Sequence, residues 1–280
     1  MQAYLDLLRD AYENGQQRPD RTGTGRKSVF GRHLRFDLSK GFPVVTTRFI
    51  STMAAKAELL WFIKGSANIA ELRELGATFW NRWGVTEDHV KDFLENRLPV
   101  QLTGVPREQL EQYLMSFVDQ IGPIYGINWR NLPYGESDYL LPVDTIAFGD
   151  IPKDKLAIYK DSYDRQVQQQ RLVNQGELPD DFLSFEQFAI DSYHMTKDQL
   201  NDLLINLRDN PYSARLVVSA WIPTRLPSES MSPQDNVFFK KGALAPCHMF
   251  FQCFVEPPKE AGGRPKLSLK MDQRSLIERP

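Results

Sequence analysis

The chain has 280 residues, enough for one generous hydrophobic core or two small ones. Its 34 basic residues against 36 acidic ones leave a net charge of −2, so no global basic field draws it to nucleic acid or an anionic membrane. No apolar run approaches the ~18–20 residues that a bilayer-crossing helix needs, the first residues show no signal-peptide pattern, and two cysteines cannot build a disulfide framework. The expectation is a soluble, cytoplasmic protein with no membrane partner.

Tyr4, Leu7, Leu8 and Ala11 recur at helical spacing and predict an amphipathic helix over residues 2–14, stopped by Gly15. The loop 18–26 follows, with two glycines and three arginines. It reads either as a surface turn or as an anion-binding loop in which Arg21 grips a phosphate through its two-pronged guanidinium. Residues 29–38, with Leu34, Phe36 and Leu38 in alternation, and residues 41–47 have strand character. Ser51 or Thr52 then caps an apolar helix from Met53 to about Lys64 that ends at Gly65. Glu58 sits inside it, flanked by apolar residues; it lies either on the wet side or buried, where a raised pKa suits proton transfer. A further helix covers about 69–75. Trp80 and Trp83 are three apart, a spacing that serves a core or the wall of a pocket for a flat ligand.

Residues 85–119 read as a helical hairpin, with Pro106 opening the second arm. Residues 131–195 are polar, carry a long helix over about 153–175, and show no chemistry. Thr196 to Gln199 has the form of a capping box and opens a helix whose Leu200, Leu203, Leu204 and Leu207 share a face. Residues 215–221 form a buried strand, and 223–241 a loop.

The stretch 243–255 organises the rest. Pro246 limits its start, Cys247 and His248 stand side by side, and an apolar, aromatic strand follows. Alternation puts Cys247, Phe251, Cys253 and Val255 on one face, and His248, Phe250 and Phe254 on the other. Cys253, in mid-strand, reads as a small buried hydrophobe. Cys247 reads either the same way or as a nucleophile, and a nucleophile needs a cation to hold its thiolate. The next strand, 267–275, ends in Gln273, Arg274 and Ser275. Paired to the first strand through the polar Glu256–Lys266 connection, it brings an arginine and a serine beside the thiol. Helices interspersed with strands on long connections indicate an α+β fold.

Seven motifs, in order along the chain, resemble thymidylate synthases. They are Asp20-Arg-Thr-Gly-Thr-Gly25, Glu58-Leu-Leu-Trp-Phe62, Phe79-Trp-Asn-Arg-Trp83, Gly122-Pro-Ile-Tyr-Gly126 with Trp129-Arg130, Val218-Ser-Ala-Trp221, Ala245-Pro-Cys-His248 and Gln273-Arg-Ser275. The resemblance implies one domain over 1–280 with a twisted mixed sheet, flanking helices and two helical insertions at about 85–119 and 131–195. It implies reductive methylation of dUMP to dTMP, with 5,10-methylenetetrahydrofolate as cosubstrate and no metal. Cys247 would add to C6 of the pyrimidine, turning C5 into a nucleophile. Arg274 would lower the thiol's pKa and hold the nucleotide phosphate. Glu58 matches the family's proton-transfer residue, Tyr125 a tyrosine lining the cavity, and His248 the histidine beside the nucleophile. Arg21, Ser275 and Gln273 match the substrate side, and Trp80, Trp83 and Arg48 the folate side.

The family works as a homodimer in which arginines cross to the partner's phosphate site. Arg215 matches one of them, while Ala214 stands where the other is usual. Arg48, Phe49 and Ser51 replace the basic residues and histidine that usually meet the folate tail. After Gln-Arg-Ser the family continues with residues that read the pyrimidine and the sugar, whereas here Ile277 occupies an aspartate position and the sequence stops at Pro280. Two readings stand open: the remainder lies on a second polypeptide, or the reading frame is interrupted at Ser275. The alternatives are a dUMP or dCMP hydroxymethylase, using the same thiol addition but quenching with water, and a non-catalytic scaffold.

Overall fold

The computed structural model describes residues 2–18, 25–47, 49–99, 102, 104–133, 148–174, 176–194 and 196–274. The chain gathers into two compact units, Met1–Ala55 and Lys56–Pro280.

The first unit holds the N-terminal helix α1 (Gln2–Asn14) and a short antiparallel pair, β1 (Gln16–Arg18) and β2 (Arg26–Ser28). Tyr4 is buried, Gly15 ends the helix by donating to Ala11 O, and Lys27 Nζ donates to Tyr12 O at 2.6 Å while lying over its ring. The two strands expected at 29–38 and 41–47 do not form; the one regular piece there is a 3₁₀ turn, Leu38–Lys40, capped by Asp37. The alternation of Leu34, Phe36 and Leu38 is real, but all three side chains are exposed. Among the described residues no neighbouring strand offers them a ladder, and β propensity without burial and pairing does not make a strand.

The second unit is built on α2 (Thr52–Lys64), whose N-terminal cap is Ser51 Oγ, accepting from Ala54 N at 3.2 Å. Ala57, Trp61 and Phe62 point inward. Helix α3 (Ile69–Glu74) and a 3₁₀ turn, Asn81–Trp83, come next. Two helices follow, α4 (Glu87–Asp92), which runs on as a π-helical turn, Phe93–Arg97, and α5 (Arg107–Met115). Helix α6 (Tyr125–Arg130) lies against α2. A Cβ on Gly126 would come within 2.9 Å of Phe62 O and 3.0 Å of Ser66 O, so only glycine allows this approach. After the short strand β3 (Leu132–Pro133) come α7 (Lys153–Val173) and α8 (Phe185–His194), packed around Ile151, Tyr159 and Ala189. The expected helix over 153–175 thus stands, ending at Val173.

Strand β4 (Thr196–Lys197) pairs with β3, and α9 (Gln199–Asp209) follows. Here the capping box is corrected. Asp198 caps the helix by accepting from Asn201 N at 3.0 Å, while Thr196 is drawn into the β3–β4 pair and bonds Tyr159 Oη at 2.8 Å. The leucine face of α9 is also split, with Leu203 buried and Leu204 exposed.

Strands β5 (Val217–Ser219), β6 (His248–Glu256) and β7 (Lys266–Gln273) make one sheet in the order β5-β6-β7, antiparallel throughout. Cys253 and Val255 are buried, but their partners across the ladder, Leu269 and Leu267, are 58% and 59% exposed. The apolar cover on that face therefore reaches β6 and stops short of β7. Between β5 and β6, the expected loop 223–241 contains a buried helix, α10 (Pro233–Phe238). Ser232 Oγ accepts from Asp235 N at 3.0 Å and Pro233 takes the first helical position, a start signal legible in the sequence. Phe238 meets Phe93 at 4.9 Å and Phe117 at 6.0 Å, and the Arg165 guanidinium of α7 lies over Phe117 at 5.9 Å. The segment of α4 and α5, helix α7 and helix α10 thus share one apolar layer.

Candidate active site

The β6–β7 register decides where the nucleophile candidate sits. His248 stands opposite Gln273, Arg274 N donates to Cys247 O at 3.0 Å, and a bulge falls between His248 and Phe250. Cys247 is half-buried at the head of β6, one residue ahead of the strand, with its carbonyl held by Arg274 N. The Arg274 guanidinium lies along the same lead-in, donating from Nε to Pro246 O at 3.2 Å and from Nη2 to Ala245 O at 3.5 Å. The strand pairing expected from sequence thus brings a cation to the segment that carries the thiol.

Tyr125, at the start of α6, is 3% exposed and reaches the same segment. Its phenol oxygen accepts from Cys247 N at 2.6 Å and from His248 N at 3.2 Å. Those two bonds use its acceptor capacity and leave the phenol proton free to donate. Burial pushes the Tyr125 hydroxyl up to about 12, and the charges of Cys247 and Glu58 push in the same direction. The imidazole of His248 packs 5.3 Å from the Tyr125 ring, and burial lowers its pKa, favouring the neutral ring.

Helix α2 delivers Glu58. Its neighbours are not all core as the sequence led one to expect: Ala57, Trp61 and Phe62 are buried, but Leu59 and Leu60 are 51% and 61% exposed. Glu58 is itself partly buried, and its Oε1 accepts from Trp80 Nε1 at 2.6 Å. Burial raises its pKa and the Trp80 hydrogen bond offsets part of that rise. A carboxyl that holds its proton to higher pH than usual is suited to proton transfer. Trp80 is sunk among Trp61 and Phe62, whereas Trp83 is half-buried with the Arg82 guanidinium 4.4 Å over its ring.

Other expected residues lie further out or beyond view. Gln273 and Arg215 are exposed, Arg215 just ahead of β5. Arg21, Arg48 and Ser275 lie outside the described residues. Cys253 is buried and its thiol pKa is raised by that burial, as its reading as an inert hydrophobe requires. Among the described residues no group of three or more His, Cys, Asp or Glu side chains is placed to hold a metal ion, and no helix is long and apolar enough to cross a membrane.

Sequence reasoning missed the polar frame behind Tyr125. Asn128, 1% exposed, donates to Ala220 O at 2.9 Å and accepts from Arg225 Nη1 at 2.7 Å. Gln199 donates to Asn128 O at 2.7 Å and to Ser219 O at 2.9 Å, and accepts from Ser219 N at 2.9 Å. These bonds lock α6, α9 and β5 together and so fix the height of Tyr125 against β6. Their one signal in the sequence is a lone amide in an aromatic helix and another at a helix start.

A family model described as thymidylate synthase matches residues 2–276. The thymidylate synthase of Francisella tularensis subsp. holarctica (strain FTNF002-00 / FTA) is 30% identical over 275 residues. That alignment covers 98% of this chain, and the chain spans 65% of the relative's length. The α+β chain belongs to the thymidylate synthase family.

Proposed function

We propose that this chain carries the thiol-bearing core for reductive methylation of dUMP to dTMP. The observation that carries the reading is the convergence of Cys247, Arg274 and Tyr125 on one lead-in, with Glu58 close enough for its charge to act on Tyr125. The Cys247 thiolate adds to C6 of the uracil, making a C–S bond and sending the ring electrons to C5 and O4. Arg274 holds negative charge at this end of the site, first on sulfur and then on the nucleotide phosphate. Glu58, with its raised pKa, holds the proton exchanged at the pyrimidine carbonyl, and a water that accepts the free proton of the Tyr125 hydroxyl as a hydrogen bond takes the proton leaving C5. Expulsion of the thiolate from C6 restores the ring. The folate cosubstrate supplies the one-carbon unit and the hydride. The residues fit such a ligand: Trp83 offers a half-buried aromatic face next to a guanidinium, suited to a flat heterocycle with an anionic tail.

Arg215 of a second copy reaches the phosphate across a homodimer in this reading. The test is incubation with 5-fluoro-dUMP and 5,10-methylenetetrahydrofolate, followed by intact-mass analysis. An adduct on Cys247, lost in Cys247→Ser, supports the reading. No adduct overturns it in favour of a scaffold. Formation of dihydrofolate separates the synthase from a hydroxymethylase, which releases tetrahydrofolate.

A further inference from the structure

Helix α10, which the sequence reads as loop, makes two separate attachments. Gln234 is 6% exposed, and its Nε2 donates to Arg82 O at 3.0 Å. Asp235, 8% exposed, takes Arg97 Nη1 on both carboxylate oxygens at 2.7 and 2.6 Å, and Phe238 closes on Phe93 and Phe117. One side of this helix therefore grips the Asn81–Trp83 turn and the other grips the layer that holds Phe93 and Phe117. A glutamine is costly to bury unless its amide is used, and the use made of it here is to tie down the carbonyl of a turn two elements away. The turn in its own right fixes Trp80, because Trp83 N donates to Trp80 O at 2.9 Å. Trp80 in its turn holds the Glu58 carboxylate at 2.6 Å.

We propose that Gln234 is a positioning residue for Glu58: its amide holds the Asn81–Trp83 turn so that the Trp80 indole stays on the carboxylate. Through it, α10 couples the Phe93–Phe117–Phe238 layer to the proton-transfer group. The proposal rests on the role given to Glu58 in the proposed function, but its geometry does not. The groups that face Glu58 are the neutral Trp80 N–H from the turn and Tyr125 from α6, with Cys247 beyond Tyr125. The Arg82 guanidinium is laid on Trp83. Loss of the Trp80 hydrogen bond removes the contact that favours the ionised carboxylate, so Glu58 must then hold its proton to higher pH.

The test uses the full chain and reads Glu58 directly, by the carboxyl band in isotope-edited infrared spectra across pH, assigned by its disappearance in Glu58→Gln. Gln234→Met keeps the length and the fill of the side chain while deleting the donor, and Trp80→Phe deletes the indole N–H. The expected result is that each variant moves the Glu58 titration to higher pH by the same amount, and that the double variant moves it no further. The proposal is overturned if Gln234→Met, folded with a wild-type thermal midpoint, leaves the titration in place, or if the two shifts add. Should Gln234→Met not fold, Gln234→Asn, whose amide falls a methylene short of Arg82 O, replaces it in the same comparison. Because no turnover is needed, a chain that forms no adduct with the fluorinated nucleotide still reports on Gln234, so the two readings fail separately.

Discussion

Replacing Tyr125 with Phe removes one oxygen and strands two amides. The aromatic contacts with Phe62 at 4.6 Å and Trp129 at 5.9 Å survive, so the lost acceptor is the whole perturbation. Leaving a buried N–H unsatisfied costs about 1–3 kcal/mol. The 2.6 Å bond from Cys247 belongs near the upper part of that range and the 3.2 Å bond from His248 near the lower. Together they are worth about 3 kcal/mol. Expressed wholly in the step that forms the C–S bond, this slows adduct formation roughly a hundredfold; expressed in the resting protein, it lowers the urea midpoint instead. Rapid-quench trapping with the fluorinated nucleotide and folate gives the first quantity, and urea titration of the same preparation the second. Trapping within about threefold of wild type, together with an unchanged urea midpoint, would refute the claim that this phenol holds the nucleophile's backbone.

Three other outcomes are expected. Asp198→Asn keeps the cap oxygen of α9 but leaves Lys155, 2.9 Å from Asp198 Oδ2, without its ion-pair partner and Arg130, at 2.8 Å, with Asp154 alone, and costs about 3–5 kcal/mol in urea unfolding. Burial works to raise the Asp198 pKa, but the bonds from Lys155, Asn201 N and Arg130 outweigh it and hold the carboxyl below its usual range. Its contribution is therefore full above the unfolded value of about 3.9 and is lost as pH falls through the lower folded value, an acid limb that Asp198→Asn flattens. Glu58→Gln has the opposite sense, because burial raises the Glu58 pKa and the charged form is the strained one. The variant is expected to melt above wild type at neutral pH, with the gap closing as pH falls through the raised folded value and gone below the unfolded value of about 4.3, even though turnover is expected to be lost. Phe238→Ala empties the layer between Phe93 and Phe117, for a loss of about 3–5 kcal/mol. That loss is read as a drop of roughly 10 °C in Tm by calorimetry.

What the sequence revealed and what it hid divide along a physical line. The β6–β7 hairpin, α2 and α7 were legible because each is long, with a regular alternation or a cap and a glycine stop. The pairing that brings Arg274 to the Cys247 lead-in followed from a single polar connection. Residues 29–38 misled because Leu34, Phe36 and Leu38 alternate as a strand does, whereas strand formation depends on a neighbour that no local pattern contains. Thr196 misled because a capping box scores one chain segment, and Tyr159, 37 residues away, competes for the same hydroxyl. Asn128, Gln199 and Gln234 were invisible for the same reason: each is a polar side chain whose purpose is a backbone atom far off in sequence.

The layer shared by Phe93, Phe117 and Phe238 has a consequence for anyone who would trim this chain. The pieces that meet there come from separate points of the sequence, yet in space they form a single body, with Arg97 clasped to Asp235 and Lys240 to Gln169 across its seams. Excising the α4–α5 hairpin alone would flay α10 and α7 rather than leave a smaller intact fold. A minimal version must drop all of these pieces in one step.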